Sequence, residues 1–107
     1  MTTRVVHVRH AKFDRYIGRA FAEFASSDYG NPFHLNPYAS REDVILEFVV
    51  YWYAPEQKWL RDLAVLELTG TTLGCWCKPK LCHGDIIAGY LDWKNQRPQL
   101  SWEQEWS

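Results

Sequence analysis

Alternating apolar and polar positions predict three extended segments. Residues 4–9 read Arg-Val-Val-His-Val-Arg, a run rich in β-branched residues that favours a strand. Residues 15–19 form a second, short extended segment, and residues 71–76 form a third. Between residues 26 and 39 the glycine, the two prolines and the two asparagines are typical of an irregular loop.

Apolar positions at helical spacing predict three helices. Ser40 followed by Asp43 resembles a capping box, which would start the first helix. Pro55 suits the first turn of the second helix, and Gly70 can end it with a left-handed cap. The third helix is expected over about residues 84–93. The predicted buried faces are Val44, Ile45, Phe48, Tyr51 and Trp52 in the first helix, Trp59, Leu60, Leu63, Val65 and Leu66 in the second, and Ile86, Ile87, Tyr90 and Leu91 in the third.

The order of these elements predicts how the strands pair. A strand-to-strand connection through helices favours parallel pairing with a right-handed crossover. We therefore expect residues 4–9 and 71–76 to be parallel neighbours, with both carboxyl ends at one edge of the sheet. The predicted fold is α/β: a small single domain, with a mixed or mostly parallel short sheet flanked by about three helices.

Composition and charge narrow the classes of function. The chain has 107 residues, of which 47% are hydrophobic, enough for one packed domain, which we expect over residues 1–93. Residues 94–107 form a polar tail that Trp102 and Trp106 can pin to the domain. The net charge of −1 disfavours a broad nucleic-acid surface, although a nucleotide pocket needs few local cations. Without a long apolar run or a signal-peptide pattern, no membrane contact is expected and the cytoplasm is the expected compartment.

The three cysteines lie within eight residues and are followed directly by a histidine. An odd count without a secretory signal does not resemble a disulfide framework. Cys75, Cys77, Cys82 and His83 make a chemically complete tetrahedral zinc set, although the spacing is not the usual Cys-x2-Cys pair. The alternative is that the thiols pack as small apolar groups, as Cys75 would at the end of a core strand.

The start of the third helix is a second candidate site. A thiol at a helix N-terminus is stabilised as thiolate, so Cys82 is a candidate nucleophile, with His83 or Asp85 transferring protons. Backbone amides at Gly84 can bind an anion there. The alternative is ordinary capping, in which Asp85 complements the helix dipole.

A third group of residues suits an anionic ligand. Arg9 and Arg19 can pair with phosphate or carboxylate, and Tyr16 can stack on a base. Asn31 can hydrogen-bond a ligand, while surface salt bridges and a structural turn are the alternatives for these residues. Trp76 and Cys77 are expected in the wall of the same pocket.

Five short motifs in a fixed order resemble a known family. They are Val-Val-His-Val-Arg at 5–9, Tyr-Ile-Gly-Arg at 16–19, Gly-Asn-Pro-Phe at 30–33, Arg-Glu-Asp-Val-Ile at 41–45 and Leu-Gly-Cys-Trp-Cys-Lys-Pro-Lys-Leu-Cys-His-Gly-Asp at 73–85. Together they resemble the family called domain of unknown function 4326, which has Asn-Pro-Phe and Cys-Trp-Cys motifs and members in bacteria, phages and other DNA viruses. The resemblance covers roughly residues 4–93 and implies no established activity.

The leading hypothesis is an intracellular domain that binds a small anionic ligand, such as a nucleotide or nucleoside derivative, at the carboxyl edge of the sheet. Whether it is an enzyme acting on that ligand is left open. The alternatives are a non-catalytic domain with structural zinc in the Cys/His cluster, and an adaptor for nucleic acid or protein, which the charge balance disfavours.

Overall fold

Three short strands form one parallel sheet in the computed structural model, which describes residues 2–20, 23–33 and 37–96. The strands are β1 (Arg4–His7), β2 (Arg15–Tyr16) and β3 (Thr72–Cys75), in the order β1-β3-β2. The pairing of β1 with β3 is parallel, so the predicted neighbours and the predicted α/β class are confirmed. β2 pairs with the other edge of β3, also in parallel. All three carboxyl ends therefore point to the same edge of the sheet.

Helices α1 (Arg41–Tyr53) and α2 (Lys58–Leu68) lie between β2 and β3 along the chain, and α3 (His83–Gln96) follows β3. A single 3-10 turn, Pro55–Gln57, separates α1 from α2, so Pro55 stands just before the second helix. α3 continues to Gln96, three residues beyond the predicted end at residue 93. Trp102 and Trp106 lie outside the described residues. In the described part of the chain, no helix is long and apolar enough to cross a membrane.

The helix ends follow the sequence signals. Ser40 accepts the backbone N–H of Asp43 at 3.2 Å, and Asp43 accepts the backbone N–H of Ser40 at 3.0 Å, which completes the capping box of α1. Gly70 has a φ of 72°, the left-handed conformation that ends α2 and turns the chain into β3.

The core lies where the helices meet the sheet. Its largest fully buried side chains are Trp52, Phe48, Ile17, Leu60, Leu68, Leu73, Ile87, Leu91 and Cys82. The buried face predicted for α1 is confirmed at Val44, Ile45, Phe48 and Trp52, while Tyr51 is only partly buried.

The predicted buried face of α2 was partly wrong. Leu60 is buried as predicted, and Leu63 and Val65 are partly buried against the core. Trp59 and Leu66 are instead 57% and 84% exposed, and Ala64 and Leu68 complete the inward row with Leu60. Arg61 shares this inward face because its guanidinium donates to the carbonyl of Trp52 at 2.5 Å and of Ala54 at 2.9 Å. Arg61 thus provides hydrogen bonds to carbonyls at the end of α1 that have no partner within the helix. A charged residue is therefore buried on a face that the hydrophobic pattern assigns to apolar residues.

Candidate functional site

The carboxyl edge of the sheet brings distant parts of the chain together. The backbone after β2 continues along β3, where the N–H of Ile17 donates to the carbonyl oxygen of Gly74 at 3.0 Å. After β3, a turn returns the chain to the start of α3. In this turn the N–H of Lys80 donates to the carbonyl oxygen of Cys77 at 2.9 Å. Three loops and two helix starts therefore border the same space.

The three cysteines form one compact cluster in this space. Their sulfur atoms lie within 4.8 Å of one another, and Sγ of Cys75 is 2.7 Å from Sγ of Cys82. Cys75 and Cys82 are buried, and Cys77 is partly exposed; all three are free cysteines. Thiolate sulfurs are strong ligands for zinc and related ions, so this group can hold a metal ion.

The negative charge of the cluster is concentrated on Cys77. Hydrogen bonds from the thiols of Cys75 and Cys82, helped by the guanidinium of Arg41, lower the pKa of Cys77 to about 2, although burial opposes this shift. The bond with Cys77 raises the pKa of Cys75 to about 11, and bonds with both other sulfurs raise the pKa of Cys82. The thiol nearest solvent is therefore the one that carries the charge.

His83 is the first residue of α3 and is buried, with only 5% of its surface exposed. Its Nε2 lies 2.8 Å from the carbonyl oxygen of Ile17, and its Nδ1 lies 3.7 Å from Sγ of Cys82. Burial lowers the pKa of His83 from its ordinary value, so the imidazole is neutral at neutral pH.

Cys82 and Asp85 cap α3. Sγ of Cys82 accepts the N–H of Gly84 at 3.3 Å, and the carboxylate of Asp85 accepts the N–H of Cys82 at 3.1 Å. The other oxygen of Asp85 pairs with Nζ of Lys78 at 2.9 Å. The arrangement resembles a capping box with a cysteine at the capping position, except that the sulfur accepts from the second helical residue and not from the third. Both carboxylate oxygens of Asp85 are thus engaged within the fold.

Gly84 lies beneath the sheet rather than at the cavity. A Cβ on this residue would stand 2.7 Å from Cδ1 of Ile17 and 3.0 Å from Cγ1 of Val5. The absence of a side chain here allows the first turn of α3 to pack closely against β1 and the segment after β2. Neither Gly84 nor Asp85 lines the cavity described next.

A cavity of about 430 Å³ opens beside the cysteine cluster. Its wall holds two cations, two of the cysteines, an aromatic pair and an apolar patch from α1: Tyr16, Gly18, Arg19, Ala20, Asn31, Arg41, Val44, Ile45, Cys75, Trp76, Cys77 and His83. Among these described lining residues none is Asp or Glu. The cavity therefore carries an excess of positive side chains.

The structure brings seven of the predicted site residues to this wall: Tyr16, Arg19, Asn31, Cys75, Trp76, Cys77 and His83. Trp76 donates from Nε1 to the hydroxyl of Tyr16 at 3.1 Å, and that hydroxyl donates to the carbonyl of Arg19. Asn31 is buried, and its Oδ1 accepts the N–H of Phe33 at 2.9 Å. The bonds of Tyr16 attach the segment that carries Arg19 to the end of β3, and the bond of Asn31 stabilises the turn of its own loop.

Arg9 and Cys82 lie away from the cavity wall. The guanidinium of Arg9 is 5.1 Å from the centre of the Trp76 ring and 3.9 Å from the carboxylate of Glu23. Cys82 is fully buried behind Cys75 and Cys77, at 0% exposure. A nucleophile must reach its substrate, and the thiols placed to do so are those of Cys75 and Cys77.

Sequence reasoning missed Arg41, the second cation of the cavity. It is the first residue of α1, and its guanidinium donates to the carbonyl of Leu81 at 3.2 Å. A positive charge in the first turn opposes the helix dipole. That unfavourable position was the signal in the sequence that Arg41 serves something other than the helix.

The parallel sheet, the capped helices and the cavity beside three free thiols define a small α/β domain with a cysteine-lined cavity. Residues 2–93 match the family described as domain of unknown function (DUF4326), and the chain belongs to that family, which confirms the resemblance inferred from the sequence.

One curated relative matches a short part of the chain. The uncharacterized 12.4 kDa protein in the nrdA-td intergenic region of Enterobacteria phage T4 is 76% identical over 21 residues, or 20% of this chain. The match spans 19% of that relative's own length. No solved structure matches the chain.

Proposed function

We propose that this domain binds a small anionic ligand, of the class of a nucleotide or nucleoside derivative, in the cavity at the carboxyl edge of the sheet. One observation carries the proposal: Arg19 and Arg41 border the same cavity, and no acidic residue stands among its described lining residues. Guanidinium groups bind phosphate through paired N–H donors. Two of them at one cavity make that region of the surface positive, which favours an anionic ligand.

The rest of the wall suits the remainder of such a ligand. The volume of about 430 Å³ falls within the range of about 300–1,000 Å³ that is usual for small-molecule sites. Trp76 and Tyr16 offer aromatic surface for a base, and Val44 and Ile45 offer apolar surface. Asn31 supplies an amide group for hydrogen bonds.

The contacts of Arg41 within the protein leave capacity for a ligand. A guanidinium has five N–H donors; the bond to the carbonyl of Leu81 uses one, and the hydrogen bond to the sulfur of Cys77 uses another. The thiolate of Cys77 balances part of its charge. A phosphate in the cavity would accept from donors of Arg41 that these contacts leave open.

Calorimetric titration tests this function. The wild-type chain is titrated separately with a nucleoside, with the matching nucleoside monophosphate and with inorganic phosphate. The same three titrations are then repeated on the Arg41→Gln variant. Loss of a hydrogen bond to a charged group should weaken phosphate-dependent binding by about 1.5–3 kcal/mol, roughly 10- to 150-fold. Arg15→Gln is the control, because Arg15 lies outside the cavity lining and is half exposed. The proposal fails if none of the three ligands binds, or if Arg41→Gln binds as tightly as wild type.

A metal-binding domain is a second candidate, and the cluster of three sulfurs within 4.8 Å is the observation that favours it. Zinc suits this site because it binds cysteine thiolates strongly and is not itself redox-active. A structural ion would stabilise the fold, so chelation should lower the melting temperature. Metal analysis of purified protein, with Cys77→Ser as the variant, measures this. Metal-free protein with an unchanged melting temperature eliminates structural zinc.

The catalytic roles considered for Cys82, His83 and Asp85 stay predictions.

A further inference from the structure

His83 is a buried histidine whose two ring nitrogens have different surroundings. Nε2 lies 2.8 Å from the carbonyl oxygen of Ile17. A carbonyl oxygen only accepts hydrogen bonds, so Nε2 carries the proton. In the neutral imidazole, Nδ1 then presents a lone pair, and the atom it faces is Sγ of Cys82.

A backbone carbonyl that accepts from one ring nitrogen is the usual arrangement around a metal-bound histidine. Such a bond fixes the tautomer and the ring orientation, and leaves the other nitrogen directed at the ion. The carbonyl of Ile17 performs this task from the segment after β2, on the opposite side of the ring from the cysteines.

The separation of Nδ1 from the nearest sulfur also fits a shared ion. Sulfur at about 2.3 Å and nitrogen at about 2.0–2.1 Å from a tetrahedral zinc ion stand about 3.5 Å apart. Nδ1 of His83 and Sγ of Cys82 are 3.7 Å apart. Nδ1 is not in the group of sulfurs that all lie within 4.8 Å of one another. Two sulfurs bound to one tetrahedral zinc ion stand about 3.8 Å apart. Metal binding therefore requires the sulfurs of Cys75 and Cys82 to separate from 2.7 Å and the imidazole to move toward the ion.

We infer that His83 is the fourth ligand of a metal centre formed with Cys75, Cys77 and Cys82, so that the ion is held by three sulfurs and one imidazole nitrogen. The inference rests on the metal-binding function proposed above and names the ligand that completes it. Four protein ligands close the coordination sphere, as in structural zinc sites. The ion would then lie in the cavity wall and stabilise it, and the anionic ligand would be bound by the arginines rather than by the metal.

The test uses the full chain loaded with Co²⁺ and, separately, with Cd²⁺. Absorption bands from thiolate to cobalt report whether the cysteines bind an ion, independently of His83. NMR of Cd²⁺-loaded protein with labelled histidine reports whether cadmium shares a scalar coupling with an imidazole Nδ1. The inference predicts both signals, with one coupled imidazole.

A matched pair of variants assigns the imidazole. His83→Gln keeps an amide N–H where Nε2 donates to Ile17 and removes the nitrogen at the Nδ1 position. Its zinc affinity should fall by about 100-fold or more, because loss of an outer partner alone costs about 10- to 100-fold. His10→Gln is the control, since His10 is exposed and stacks on His7; its zinc affinity should be unchanged.

The outcomes separate the two proposals. Thiolate bands without an imidazole coupling, or unchanged zinc affinity in folded His83→Gln, overturn the role of His83 and leave the cysteine site standing; the Nδ1 contact is then a hydrogen bond from the thiol of Cys82. Absence of thiolate bands in wild type refutes the metal-binding function and the inference with it. If His83→Gln does not fold, the coupling in wild-type protein still decides.

Discussion

Two glycines in α3 provide a paired test of how the site is built. Gly84 stands in the first turn, where an added Cβ would meet Ile17 at 2.7 Å and Val5 at 3.0 Å. Gly89 stands one and a half turns further on, and a Cβ there would meet no atom within 4 Å. The same substitution, to alanine, should therefore have opposite effects at the two positions.

The magnitudes follow from these distances. Carbon atoms pack best at about 3.5–4.0 Å, so the methyl group of Gly84→Ala must displace Ile17 or the first turn of α3. Overpacking of this kind costs about 1–3 kcal/mol. The gain in helix propensity, at most about 1 kcal/mol, offsets part of it. We expect a net loss of about 1–2 kcal/mol for Gly84→Ala and a gain of about 0.5–1 kcal/mol for Gly89→Ala.

Urea unfolding followed by far-ultraviolet circular dichroism measures both free energies, and thermal melting should show opposite shifts of several degrees. Equal stabilisation by the two substitutions would mean that α3 does not begin against β1 and the segment after β2. That result would also contradict the packing that we infer to hold His83 at the carbonyl of Ile17.

Three further predictions concern the frame around the site. Ser40→Ala removes one half of the capping box of α1 and should lower the free energy of unfolding by about 1 kcal/mol, measured by urea titration; no change would show that the cap is dispensable. Arg61→Met leaves the carbonyls at the end of α1 without their cation and should cost about 1.5–3 kcal/mol in the same assay, whereas Lys58→Met, on an exposed ion pair, should cost less than about 0.5 kcal/mol. Burial, with Glu67 as hydrogen-bond acceptor and neighbouring charge, raises the pKa of Tyr29 above its ordinary value of 10.0, so the folded state keeps a proton that the unfolded chain loses and stability falls as pH rises above 10.0. Tyr29→Phe should flatten this decline above pH 10, and an identical slope in both proteins would contradict the assigned cause.

Local signals in the sequence were sufficient for the elements and their order. The β-branched run from residue 4, the Ser40–Asp43 pair and Gly70 each act through backbone conformation or a hydrogen bond a few residues away. The parallel pairing of β1 with β3 followed from the helical crossover. These features depend on nearby residues and on a general rule of handedness.

The inward face of α2 was not predictable in the same way. Arg61 is charged, and its burial depends on where α1 ends in space, which no window of sequence contains. The exposure of Trp59 and Leu66 follows from the same rotation of the helix. Tertiary contacts thus decided which face of α2 became buried.

The candidate site also has one part that local sequence predicted and another that depends on tertiary contacts. The cluster of Cys75, Cys77 and Cys82 was predictable because β3 and the following turn are close in sequence. The cavity needed Arg41 from α1 as well, and it excluded Arg9, whose guanidinium lies over Trp76 instead. β1 ends at His7, two residues before Arg9, so the position of Arg9 is set by the turn that follows the strand and not by the strand itself.

The measurement that tests the central claim most directly is NMR mapping of ligand binding. Backbone amide shifts of the labelled full chain are recorded as a nucleoside monophosphate is added. We predict that the largest chemical-shift changes occur in the cavity wall, at Gly18, Ala20, Asn31, Trp76 and Cys77. The amide shifts of α2 should stay unchanged. Saturable changes centred on the exposed side of α2, or no changes at ligand concentrations in the millimolar range, would contradict the assignment of this cavity as the binding site.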